Sequence, residues 1–266
     1  MPSTFHIATV ANDLSMYGAM RLSMAACGFT EPRCRFTLFD NSQSNRYDPY
    51  AVLRQLAGDG DEPYIVLCHQ DLLFKAESTV DLLERRLTQL EQIDPHWAVA
   101  GNAGVDSHWK LQAYLDEPNG NHRSSPLPAA VVSLDENLLI LRRSHYVLPS
   151  PAMSGFHLYG ADLCLNAFMQ HRTSYVIEFL IQHLSKGNPE SDAFIQAEKN
   201  LVQVWRSQLM MGLIRTPCAM LQVASTPWLN KLLASGKVRD FLRTTGICRI
   251  PRIGLRRRTV KPAGGQ

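Results

Sequence analysis

A chain of 266 residues with 45% hydrophobic composition can bury a sizeable core, and one domain of about 200 residues plus an extension is the natural expectation. The six cysteines are scattered with no Cys-x-x-Cys pair, no apolar run approaches the roughly 20 residues that cross a bilayer, and the first residues carry no basic, apolar leader; a disulfide framework, a spanning helix and a secretory signal are set aside for a soluble, cytoplasmic protein. The net charge of +3 conceals an asymmetry: residues 237–261 hold nine basic side chains against Asp240, which leaves about −5 on the remainder.

Residues 5–10 read as a first strand. From 14 to 27, Met, Leu and Ala recur at helical spacing and stop at Gly28. Residues 35–39 are a second strand, closed by the turn-rich stretch 40–45, and 49–56 a short helix. The run 64–68 (Tyr-Ile-Val-Leu-Cys) is continuously apolar, as in a strand buried on both faces of a parallel sheet, and ends abruptly in His69-Gln70-Asp71. Residues 78–93 repeat leucine at 82, 83, 87 and 90, begin near a Ser/Thr cap and end before Pro95; 97–101 is a fourth strand. This βαβα order predicts an α/β fold with a mostly parallel sheet flanked by helices.

The pattern then breaks. Residues 106–130 are polar and rich in Pro, Asn, Gly and His, which predicts a long loop, functional or disordered. Residues 131–134 and 138–141 flank Asp135-Glu136-Asn137 as two short strands or one interrupted strand. A helix over 160–170, a strand over 175–179 and a long helix over 189–211 follow. Beyond Pro217 the pattern weakens to one helix near 229–233 and the basic tail. The expected organisation is a domain over 1–211 and a helical, basic C-terminal extension over 212–266.

In open α/β sheets, ligands sit beyond the carboxyl ends of the strands. Asp71 stands there, where a carboxylate holds Mg2+ or Mn2+ and bridges it to a diphosphate; an aspartate at such a place also serves as a turn or helix cap. His69 offers a neutral imidazole to the same cation or a structural hydrogen bond. Asp162, two residues after Gly160, opens a helix whose dipole favours a carboxylate; ionised and within reach of a hydroxyl, it would act as a general base. Phe156, His157 and Tyr159 just upstream suit a sugar ring. His183 ends an apolar stretch before Leu184-Ser185-Lys186-Gly187 and reads either as a cap or as part of a site. Gly101-Asn102-Ala103-Gly104 offers two glycines for phosphate or sugar contact. No phosphate-binding or dinucleotide-binding glycine loop, His-Glu-x-x-His or Gly-x-Ser-x-Gly is present, and the residues alone stop short of a reaction.

Read in order across residues 5–206, several landmarks combine: His69-Gln70-Asp71, residues 98–105 (AVAGNAGV), Trp109, residues 131–143 (VVSLDENLLILRR), residues 156–165 (FHLYGADLCL), His183-Leu184-Ser185 and Trp205. Together they resemble the StrF-like glycosyltransferase family, related to the family-2 nucleotide-sugar transferases of the GT-A fold. The resemblance implies a GT-A-like domain and a metal-dependent, inverting glycosyltransferase. It would move a sugar from a nucleotide-sugar donor to a hydroxyl of a glycan or small-molecule acceptor, with Mn2+ or Mg2+ as cofactor. It implies metal ligation by Asp71 and His183, with His69 standing where many relatives carry an aspartate. Asp162 falls at the catalytic base, with Ala161 in place of the usual preceding glutamate. Asn12, Asp13, Asp40, Asn41 and Gln70 fall at the donor nucleotide, and Trp109, Asp135, His157 and Tyr159 at the acceptor or sugar. Loop 106–130 would close over the donor and exclude water.

Two other classes compete. A nucleotidyltransferase would carry a basic, glycine-rich loop near the first strand, but residues 8–18 hold one glycine and no lysine. A non-catalytic nucleotide-sugar or glycan binding module fits the departures at His69 and Ala161. The cationic tail suits an anionic membrane surface near a lipid-linked acceptor, which would place the protein at the inner face of the membrane. It lacks any aromatic side chain beyond Thr244 for base stacking, so no nucleic-acid partner is expected.

Overall fold

The computed structural model describes residues 3–185, 190–206, 208 and 211–245; Lys186, Gly187 and the sequence from 246 onward lie outside the described residues. The first half alternates β1 (Phe5–Ala11), α1 (Leu14–Ala26), β2 (Cys34–Asp40), α2 (Pro49–Leu56), β3 (Tyr64–Cys68), β4 (Leu72–Phe74), α3 (Val80–Ile93) and β5 (Trp97–Gly101). Helix starts follow local chemistry. Asp13 accepts from the Ser15 and Met16 N–H groups at the head of α1, Asp48 precedes Pro49 in the first turn of α2, and Thr79 caps α3.

There follow β6 (Ala103–Val105), β7 (Leu111–Glu117), β8 (Gly120–Arg123), β9 (Ala129–Val131), β10 (Ser133–Leu134), β11 (Leu138–Arg142) and α4 (Tyr159–Met169). The chain continues with β12 (Thr173–Val176), β13 (Ile181–His183), α5 (Asp192–Arg206), β14 (Met211–Arg215), β15 (Met220–Ala224), α6 (Pro227–Ala234) and α7 (Gly236–Thr245).

The central sheet has the order β2-β1-β3-β11-β5-β12-β9. β1 pairs parallel with β2 and β3, and β5 with β12, while β11 is antiparallel to both β3 and β5. Strands β2, β1, β3, β5 and β12 therefore run one way, and the sheet is mostly parallel. β11 must reverse: after β5 the chain leaves the sheet at its carboxyl edge, returns briefly as the edge strand β9 on β12, and enters β11 from the carboxyl edge at Leu138. The alternation along β3 sorts its side chains. Ile65 and Leu67 face a core shared with α2, α4 and α5; Val66 and Cys68 face one shared with α1 and α3.

A second sheet, β10-β6-β7-β13-β4 with β8 paired to β7, stands beyond the carboxyl edge of the first. It overturns the expected loop over 106–130. β7 is laddered to β6, β8 and β13, so this stretch is a paired hairpin and not a lid free to close over a ligand. Residues 211–224, read as a helix end and a weak pattern, form the antiparallel hairpin β14–β15. Its Ile214, Leu221 and Val223 enter the same core as Leu201 and Trp205 of α5. Among the described residues no helix is long and apolar enough to cross a membrane.

Candidate metal centre and ligand cleft

β3 ends at Cys68, and the next residue is pinned to the neighbouring strand by the His69 N–H donating to the Asn137 carbonyl (2.9 Å). The chain then turns into β4. β13 pairs antiparallel with β4, setting His183 opposite Leu72, and the Leu184 N–H donates to the Asp71 carbonyl (3.0 Å). These backbone bonds gather three side chains. His183 Nε2 lies 3.4 Å from Asp71 Oδ2, His69 Nδ1 lies 3.9 Å from Asp71 Oδ1, and the three ligand atoms fall within 4.8 Å of one another.

Ligand atoms bound to one cation at about 2.1 Å each stand up to about 4.2 Å apart, so both separations to Asp71 suit a shared ion. Two imidazoles and a carboxylate fit a first-row divalent cation. Tyr159 Oη contacts His69 Nε2 at 2.9 Å, which leaves Nδ1 turned toward Asp71. Burial raises the Asp71 pKa, but the His183 hydrogen bond and the charges of His183 and His69 outweigh it and hold the carboxyl well below its ordinary range. Burial lowers His183, and the Asp71 hydrogen bond and charge more than reverse this, so its imidazole is raised above the ordinary value. His69 is lowered by burial.

Through His69 and His183 the cluster borders a cleft of about 310 Å³, with Asp71 set behind its lining; Val10, Leu67 and Cys68 line the sheet side, Phe156, His157 and Tyr159 lie ahead of and within α4, and Phe194 comes from α5. Asp135, Glu136, His69 and His183 supply its polar wall. His157 packs its ring against Phe194 (5.4 Å between centroids), and burial lowers its pKa, which favours the neutral form. Glu136 is pushed up to about 8, by burial first and the charge of Asp135 second, despite the Gly160 N–H directed at it (3.4 Å). A Cβ on Gly160 would meet the Leu134 carbonyl at 2.5 Å; glycine lets the start of α4 press onto β10 and seats Tyr159 in the cleft wall. Asp135 Oδ1 accepts from Asn137 N (3.0 Å) and Nδ2 (2.7 Å), while Oδ2 makes no hydrogen bond among the described residues. A second cleft, of about 400 Å³, meets the first at Asp135, His183 and Cys218.

His69, Asp71, His183, Asp135, His157 and Tyr159 are thus brought together. Asp162 is not. It has no exposed surface and accepts from Ser150 N (2.7 Å), Ser150 Oγ (2.6 Å) and Trp205 Nε1 (2.9 Å). Burial raises its pKa, and these bonds pull the other way. It lines neither cleft, and its hydrogen bonds tie residue 150 and α5 to α4. Trp109 also lines neither cleft and packs instead on Leu213, Ala224, Leu229 and Leu233 under the C-terminal hairpin.

The expected donor residues stand along the carboxyl edge of β1, β2 and β3 but outside the first cleft. Gln70 Oε1 accepts from the N–H groups of Asn12 and Asp13 (2.9 Å each), and its Nε2 donates to Asn12 Oδ1, clamping β1 to β3. Asp13 is occupied in capping α1, Asp40 accepts from Ser42 N, and buried Asn41 holds Arg46 and Tyr47. Glu136, Phe194 and Cys218 were not singled out in the sequence. Glu136 carried a signal, a carboxylate between two apolar runs; Phe194 sat within a helical stripe, and Cys218 carried none.

No model of a known protein family matches the chain. Among solved structures, similarity is found to the mannosyltransferase PcManGT from Pyrobaculum calidifontis in complex with GDP-Man and Mn2+ (TM-score 0.47, 11% identity, 78% of this chain and 64% of that one). It is found also to S. aureus TarS 1-349 (TM-score 0.45, 10% identity, 78% and 64%) and to A197 from STIV (TM-score 0.38, 10% identity, 66% and 81%). The chain spans just under two thirds of the length of the first two, 64% in each case. In sequence it is 31% identical over 211 residues, 76% of this chain and 83% of the relative, to the protein named ATP synthase subunits region ORF 6 from Fuscovulum blasticum, and it belongs to that family.

Proposed function

We propose that the protein is a metal-dependent, inverting glycosyltransferase of the StrF-like, GT-A kind, acting on a nucleotide-sugar donor. The observation that carries this reading is the His69–Asp71–His183 cluster at the carboxyl end of β3, open to an aromatic-walled cleft. A dication bound there would neutralise the charge that develops on a departing nucleoside diphosphate. Two nitrogen donors favour Mn2+ over Mg2+, which prefers oxygen.

The remaining work falls to the chain's own side chains. Tyr159 holds the His69 ring. His157 and Phe194, packed edge to face, line the cleft with ring surface against which a sugar can lie. Glu136, raised to about 8, keeps its proton at neutral pH and acts as a hydrogen-bond donor in the cleft wall. With Asp162 enclosed, the acceptor proton goes to Asp135, whose Oδ2 is unbonded among the described residues and which borders both clefts. The cationic stretch 237–261 fits an anionic lipid surface that presents the acceptor.

The test is a thermal-shift panel of nucleoside diphosphates with and without Mn2+, followed by nucleotide release from the matching sugar donors. Stabilisation by one diphosphate only in the presence of metal is expected; no metal-dependent stabilisation by any of them sinks the reading. The burial of Asp162 favours one alternative, a nucleotide-sugar binding module without turnover. That module would show the same stabilisation and release no nucleotide when acceptors are supplied.

A further inference from the structure

Across Asp135 and His183 from the aromatic cleft lies the second cleft of about 400 Å³. Its floor is apolar, formed by Ala103 of β6 with Ala113 and Leu115 of β7, which pack as one small cluster. Its rim is polar, with Glu117, Asn119 and His122 presented by the β7–β8 turn and Glu117 Oε1 paired to His122 Nε2 at 3.0 Å.

The wall carries an unmet acceptor. Asn137 is 1% exposed, its Nδ2 donates to Asp135 Oδ1 (2.7 Å), and its Oδ1 is buried without a hydrogen-bond partner among the described residues. The amide cannot be turned over to remove this deficit, because the atom facing a carboxylate oxygen must be the donor. Nor can the residue withdraw: its N–H donates to Asp135 and its carbonyl accepts from His69 N. Leaving a buried amide oxygen unpaired is costly, so its retention beside a cleft points to a ligand that donates. Asp135 and Glu117 on the same cleft disfavour an anion. A neutral molecule with several hydroxyls answers both conditions, since each hydroxyl donates to a carboxylate or amide oxygen and accepts from an imidazole.

We infer that this cleft is a saccharide subsite, with one hydroxyl donating to Asn137 Oδ1, neighbouring hydroxyls met by Glu117 and His122, and the ring's C–H face on the alanine floor. Its role as the acceptor chamber rests on the transferase reading: the hydroxyl that attacks would meet Asp135 in the wall shared with the donor cleft.

Saturation-transfer NMR of the full chain with methyl glycosides of gluco, galacto and manno configuration tests it, with Mn2+ and nucleoside diphosphate binding measured in parallel. At least one glycoside should bind. E117Q, H122A and N137L should each weaken it about fivefold or more. L111W should do the same by filling the cleft from a position 41% exposed, where folding tolerates the change and the donor cleft is untouched. E117Q, H122A and L111W should bind nucleoside diphosphate as the wild type does. Glycoside binding that survives L111W and E117Q, or no binding of any of the three to the folded wild type, overturns the subsite. Glycoside binding that L111W abolishes in a protein that binds no nucleotide supports the subsite and sinks the transferase reading alone.

Discussion

His183 sets Nε2 3.4 Å from Oδ2 of Asp71 because antiparallel pairing of β13 with β4, continued by the Leu184 N–H to the Asp71 carbonyl, leaves the two side chains no other neighbourhood. Both are 12% exposed. Each therefore favours the charged form of the other, and a cation bound between them would compete with a proton for His183 Nε2. At a Mn2+ concentration about a hundredfold above Kd, wild-type Tm should rise by about 5–10 °C. D71N and H183A should abolish the rise, as read by differential scanning calorimetry. An equal rise in D71N would remove the cation from this cluster.

Asp162 and Asp135 should separate cleanly. D162N replaces an acceptor that receives three donors in a fully buried site, so it should cost about 2–4 kcal/mol of stability. Its turnover per folded molecule should stay within a few-fold of wild type. D135N keeps Oδ1 for the Asn137 N–H and lies at the cleft, so it should hold Tm within about 2 °C and lose turnover by about 100-fold or more. Urea unfolding and single-turnover kinetics on both variants check this. The opposite pattern, a stable and inactive D162N beside an active D135N, would restore Asp162 as the base.

The contrast between these two aspartates shows where sequence pattern stops. The run 64–68 announces a strand buried on both faces, and its end places His69-Gln70-Asp71 at the sheet's carboxyl edge, because strand alternation and burial are local properties. An aspartate in the first turn of a helix looks the same whether it serves as cap, base or buried acceptor. What a local pattern lacks is tertiary packing, which here brings Ser150 and Trp205 to the carboxylate. The second sheet was hidden for a related reason. β7 reads as a polar loop because Gln112 and Asp116 are buried by pairing with Asp106, Lys75 and Arg123, none of which a local pattern can connect.

Tyr159 contributes to the centre through His69. Its hydroxyl contacts Nε2 at 2.9 Å and the Glu136 carbonyl at 3.3 Å, fixing the ring with Nδ1 toward Asp71. Y159F preserves the buried ring and its edge contact with Tyr50 while removing only the hydroxyl. Mn2+ affinity should fall about 10-fold or more, with a stability cost of about 1 kcal/mol. Isothermal titration with Mn2+ measures the first and urea unfolding the second. Unchanged affinity would mean that His69 is not a ligand, or that its orientation is set by packing alone.

Glu62 governs the acid side of the stability curve. Its carboxylate is 6% exposed and accepts from Arg35 Nε (2.5 Å) and Nη2 (3.1 Å), with Arg143 Nη2 3.7 Å away. The Arg35 hydrogen bond, acting against burial, lowers its pKa from 4.5 to about 2. The folded pKa lies below the unfolded one, so this contribution is fully present above pH 4.5 and is lost as pH falls toward 2. Arg35 is 35% exposed and screened, which limits the loss in E62Q to roughly 1–3 kcal/mol near neutral pH. Urea unfolding of wild type and E62Q should show a gap at about pH 7 that narrows steadily from pH 4.5 and closes only below about 2, once Glu62 is protonated in the folded state. A gap that stays constant across this range would assign Glu62's contribution to shape and not to charge.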